Sequence, residues 1–156
     1  MKRHLQLQPL SRQHHNGLLA VLLLKKGIKK AAAPKEMAAF ILDFWYKDLE
    51  DHFKAEEDHL LPAVAITNFD QQLIDTLKEE HELLRSYVYM LQDDPTNVEV
   101  IEQFHTLLEQ HIRFEEKQFF PETEKLLTEL QLQQLGKHLH EGDTQNCMNY
   151  PVKFWE

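Results

Sequence analysis

The chain has 156 residues, with 26 acidic and 17 basic side chains and a formal charge of −9. That length suits one domain with a real core, and the charge disfavours nucleic acid and anionic membrane surfaces as partners. Four glycines and six prolines stand in a background rich in Leu, Glu, Gln, Lys and Ala, which favours helix over a β-sandwich, and Cys147 as sole cysteine excludes an internal disulfide.

Ser11 is placed to cap a first helix reaching about Lys30, which Pro34 and its neighbours break. The apolar run 18–24 in this helix is too short to cross a bilayer, and no small-residue cleavage site follows it, so the expected location is the cytoplasm. A second helix is predicted from Lys35 to about Leu61, where Pro62 ends or kinks it. A turn around Asp70 leads into a third helix reaching about Gln92, and Asp93-Asp94-Pro95 breaks the chain again. Thr96 with Glu99 forms a capping-box pattern for a fourth helix ending near Phe120, before Pro121. Thr128 with Gln131 caps a short fifth helix reaching about His140. An irregular tail then carries Phe154 and Trp155, which are expected to pack back. Short connections between long amphipathic helices predict an all-α fold. It is an antiparallel up-down-up-down four-helix bundle over about 11–122, with the extra helix and tail over 123–156, in a single domain spanning 1–156.

The apolar stripes are interrupted in a patterned way. On the third helix Leu73, Leu77, His81, Leu84, Val88 and Leu91 follow steps of three and four, so His81 lies on the core face. The fourth helix reads Ile101, Phe104, Leu108, His111, Glu115, Phe119, and the second reads Ile41, Trp45, Leu49, His52, Glu56, Leu60. On the first helix His15 precedes Leu18, Leu19 and Leu22, with His14 as the alternative. A buried glutamate without a partner costs several kcal/mol. A cation shared by His and Glu one turn apart supplies the compensation, and this donor set suits iron, manganese or zinc. Glu57 and Glu116 are read as a solvated acidic face, with an outer role behind the ligands as the alternative, and His4, His105, His138 and His140 as surface residues.

The second and fourth helices repeat each other. His52-Phe-Lys-Ala-Glu56-Glu57 and Pro62 match His111-Ile-Arg-Phe-Glu115-Glu116 and Pro121 in the frame HxxxEExxxxP. With His15-Asn-Gly-Leu-Leu and Glu80-His81-Glu-Leu-Leu in order, one motif per helix, the chain resembles the hemerythrin family and its HHE cation-binding branch. The resemblance implies two iron ions (Fe2+/Fe3+), bridged by Glu56, Glu115 and an oxo or hydroxo species. His15, His52, His81 and His111 would be the terminal ligands. The oxygen carriers of that family have a further histidine one turn before His81, where this chain has Leu77, and His59 is the candidate to replace it. The expected function is a non-haem di-iron protein that binds or senses O2 or NO, or handles iron. A di-iron oxidoreductase and a metal-free helical interaction module are the alternatives. No catalytic residue is assigned.

Overall fold

The computed structural model describes residues 2–139 and 146–156; the expected end of the fifth helix at His140 lies outside them. Among these residues all regular structure is helical, and no helix is long and apolar enough to cross a membrane.

A 3₁₀ turn, Leu5–Leu7, runs into α1, Gln8–Lys29. Pro9 occupies its first turn, where a missing N–H leaves nothing unpaired. Ser11 is therefore inside the helix and caps nothing; its Oγ donates to Glu116 at 2.8 Å. The helix closes with the N–H of Ala31 on the Ile28 carbonyl and that of Ala32 on the Gly27 carbonyl. This double bond pattern puts its penultimate residue in the left-handed region, and here that residue is Ala31, at φ 55°.

Residues 34–65 form one rod: α2, Pro34–Phe44; π1, Trp45–Leu49; α3, Glu50–Ala55; π2, Glu56–Leu60; and α4, Leu61–Ala65. Helix α5, Gln71–Asp93, is capped by Asp70. A second compound rod comprises α6, Val98–Phe114; π3, Glu115–Phe119; and α7, Phe120–Leu126. Asn97 rather than Thr96 caps α6, because Thr96 spends its hydroxyl on Asp94. The short α8, Glu129–Gly136, has the expected Thr128/Gln131 capping box.

Neither Pro62 nor Pro121 ends its helix. In π2 the N–H of Leu61 reaches back five residues to the Glu56 carbonyl, and in π3 that of Phe120 reaches Glu115. The next residue in each case is the proline, which has no N–H to offer. A widened turn thus absorbs the lost donor, and the rod continues. The Glu116 carbonyl, left without its backbone donor, accepts from Arg3 Nη2 at 2.8 Å.

Cross-helix pairs run in opposite senses. Gln13 meets His52 while Asn16 meets Asp48; Ser11 meets Glu116 while Lys25 meets Glu109; Glu57 meets His81 while Tyr46 meets Gln92. Apolar residues form two clusters rather than one. The first gathers Leu24, Ile41, Phe53, Leu84, Phe104 and Leu108, and the tail residues Phe154 and Trp155 pack onto it as expected. The second gathers Leu10, Leu60, Leu77, Phe119 and Phe120 with Leu132 and Leu135 of α8. Along their helices His14, Glu56, Glu80 and His81 fall between the two, and His111 and Glu115 flank the change from Ile112 of the first cluster to Phe114 of the second.

Candidate metal centre

Six buried side chains from four helical segments converge between the clusters. Their ligand atoms form two groups, each with all atoms within 4.8 Å of one another: His14, His52, Glu56 and Glu115, and Glu56, His81, His111 and Glu115. Both carboxylates belong to both groups. Each HxxxE pair spans one α turn and ends on the first residue of a π turn. The widened turn follows the ligand pair at the same place in both rods, which is how the sequence repeat becomes a repeated geometry.

The imidazoles are all oriented alike. Each Nδ1–H donates outward to an oxygen: His14 to Glu116 at 2.6 Å, His52 to Gln13 at 2.6 Å, His81 to Glu57 at 2.6 Å and His111 to Glu80 at 2.9 Å. Those bonds fix the ring orientations and aim each Nε2 inward. The four supports also form a closed ring. The residue steering each histidine stands on the preceding long helix: Gln13 of α1 holds His52, Glu57 of π2 holds His81, Glu80 of α5 holds His111, and Glu116 of π3 holds His14. Arg85 pairs with Glu57 at 2.7 Å, and Arg3 with Glu116 at 3.3 Å.

The inward atoms fit a cation and little else. Nε2 of His52, His81 and His111, both oxygens of Glu56 and Oε2 of Glu115 are buried without a hydrogen-bond partner. Several lie close to one another: His81 Nε2 is 3.1 Å from Glu56 Oε1, and His52 Nε2 is 3.4 Å from Glu56 Oε2. The distances are ion-pair distances, but the angles are not those of hydrogen bonds. Proximity without directed bonding is what lone pairs converging on a common centre produce. An orphaned buried polar atom is rare and costly, and six facing one another suit a shared cation.

Electrostatics of the metal-free site are consistent with this. Burial pulls His52 down, but the Glu56 and Glu115 carboxylates outweigh it and hold the imidazole up at about 10. His111 is likewise lowered by burial yet raised to about 10, chiefly by Glu115. Burial works to raise Glu115, while His111 foremost, with His14 and His52, holds it well below the usual carboxylate range. Burial also opposes ionisation of Glu57, but His81 and Arg85 bring it down to about 2.

The structure gathers His52, Glu56, His81, His111 and Glu115 as a set. His15 is not among them: its side chain is exposed, and His14 takes the inward position. The buried stripe of α1 is Leu10, His14, Gly17, Val21, Leu24, not the stripe through Leu18 and Leu22. Gly17 marks that phase, since a Cβ there would stand 2.8 Å from Ile112 Cδ1, so the two helices touch at this level. His59 does not enter the site either; its ring stacks on His138 of the short C-terminal segment, centroids 4.3 Å apart. Leu77 is buried in the second apolar cluster. Glu57 and Glu116, read as a solvated face, are the carboxylates steering His81 and His14. His105 is buried rather than on the surface.

Four imidazoles gathered around two shared carboxylates inside a helical fold make an arrangement that could hold a metal ion. A family model described as the hemerythrin HHE cation-binding domain matches residues 9–123, and the chain belongs to that family. No curated protein and no solved structure matches it.

Proposed function

We propose that this chain is a non-haem di-iron protein of the cytoplasm, built as an up-down-up-down four-helix bundle, that binds or senses a small diatomic molecule such as O2 or NO. The observation that carries the reading is the double membership of Glu56 and Glu115: two four-residue ligand groups share both carboxylates. Two cations neutralise these acids and fill the space the orphaned atoms face. The chemistry such a pair supplies is reversible electron exchange and binding of a small ligand at an incomplete coordination position. His14 and His52 would hold one ion, and His81 and His111 the other. The outer oxygens fix the ring orientations, and the flanking apolar clusters keep bulk water away.

Metal analysis of protein expressed with ample iron tests the reading, with an optical spectrum after oxidation. Two irons per chain and the near-ultraviolet bands of a bridged ferric pair are expected. Protein that holds no stoichiometric metal and takes up no Fe(II) under anaerobic titration sinks it. Spectral changes with O2 or NO that reverse without turnover support binding, whereas sustained peroxide consumption with a reductant would instead make the chain an enzyme.

A further inference from the structure

We infer that the two cation positions are inequivalent, and that the position held by His81 and His111 fills first because both of its imidazoles rest on carboxylates, Glu57 and Glu80, where its neighbour has one carboxylate and one amide. The inference rests on the di-iron reading and deepens it. Glu56 and Glu115 are common to both ligand groups, so the oxygens that support the imidazoles are one place where the two differ. At the His14/His52 position the supports are Glu116, paired with Arg3, and Gln13, which is neutral. At the His81/His111 position they are Glu57, paired with Arg85, and Glu80. Two of the three outer carboxylates therefore face a guanidinium, which Arg3 shares with Glu124 and Arg85 with Glu82. Glu80 does not: among the described residues its side-chain partners are His111 Nδ1 at 2.9 Å and the neutral Gln110 amide at 3.1 Å. Of the direct supports, the His81/His111 position has two carboxylates and the His14/His52 position has one carboxylate and one amide.

An anionic oxygen on the outer nitrogen raises the basicity of the inner one and tightens its hold on a cation; an amide oxygen orients the ring with much less of that push. Replacing such a support costs roughly 10–100-fold in metal affinity. Glu80 is buried, so solvent screens it weakly. It is a positioning residue: it acts on the ion through His111.

Anaerobic titration of the metal-free protein with Co(II), followed by visible absorption and calorimetry, resolves the two steps. In the wild-type chain the first Co(II) should bind at least 10-fold tighter than the second. Glu80→Gln keeps an oxygen for His111 and removes only the charge. It should weaken the His81/His111 position by about 10–100-fold, so that the gap between the two steps closes or the order of filling inverts. Gln13→Glu should tighten the second step and leave the first unchanged. Circular dichroism of each metal-free variant checks that the helices persist. If Glu80→Gln weakens only the second step, or neither step, the order of filling is wrong while the dinuclear reading survives. If the wild-type chain binds no Co(II) or Fe(II), both fall.

Discussion

The exchange of His14 for His15 as the first-helix ligand can be tested by two neighbouring alanine substitutions. His14 is buried, its Nδ1 donates to Glu116 at 2.6 Å, its Nε2 lies 3.0 Å from Glu115 Oε1, and its ring stacks on Phe120 with centroids 5.5 Å apart. His14→Ala removes one of four donors from one ligand group. It also strips a partner from Glu115, which keeps His111 and His52. Breaking a buried pair by deleting one partner costs about 3–5 kcal/mol, and the remaining partners place the expected loss near the lower figure. In a chain of this length roughly 3 kcal/mol corresponds to a fall of about 6–12 °C in Tm. His15 is exposed, so His15→Ala should stay within about 0.5 kcal/mol of the parent. Melting the metal-free proteins by circular dichroism reads the first quantity, and metal analysis after iron loading reads function. The expected result is that His14→Ala keeps about one iron and His15→Ala keeps two. Loss of metal in His15→Ala with full retention in His14→Ala would refute the helix phase on which the site is built.

Glu56→Ala and Glu115→Ala each remove a carboxylate from both ligand groups and should abolish stable occupancy, whereas His59→Ala, which loses only a stacked ring, should keep both ions; metal content of the three variants checks this. Ala31→Gly relieves a left-handed alanine at the end of α1 and should stabilise the protein by roughly 1 kcal/mol, seen as a Tm about 2–4 °C higher; a lower Tm would contradict the strain. The metal-free protein should lose stability in alkali. His52 and His111 are raised to about 10 from an ordinary imidazole value, so their contribution is full below about pH 6.5 and disappears as pH climbs through about 10. By the same linkage, cation uptake near neutral pH should release protons, measurable with an indicator dye in weak buffer; uptake without release would contradict the raised values.

The helices and most residues of the buried His/Glu cluster were legible because their signals are periodic. His52, Glu56, His81, His111 and Glu115 each interrupt a stripe of large apolar residues at helical spacing, and that pattern survives folding unchanged. His14 was hidden because α1 is apolar on nearly every side over 18–24, so large leucines do not mark its phase. The stripe that faces inward uses Gly17, whose lack of a side chain is the point, and a reading weighted by hydrophobicity passes over it. The prolines misled for a related reason. A proline removes one N–H, but Pro62 and Pro121 each follow a π turn, and that compensation involves no particular side chain. Glu57, Glu80, Gln13 and Glu116 look like ordinary polar helix residues one at a time. Their signal was adjacency: each stands directly beside a ligand, as Gln13-His14, Glu56-Glu57, Glu80-His81 and Glu115-Glu116.

The two apolar clusters have a consequence for cooperativity. Each is too small to be the whole interior, and the layer between them is ionic, so in the metal-free protein the two ends are joined by a polar seam instead of continuous apolar packing. Hydrogen exchange of the stripped protein is therefore expected to resolve two blocks opening separately, one around Leu24 and Phe104 and the other around Leu10 and Phe119, and iron should fuse them into a single unit. Loading the cations then acts as a rivet at the waist of the molecule, and occupancy becomes readable at both distant ends.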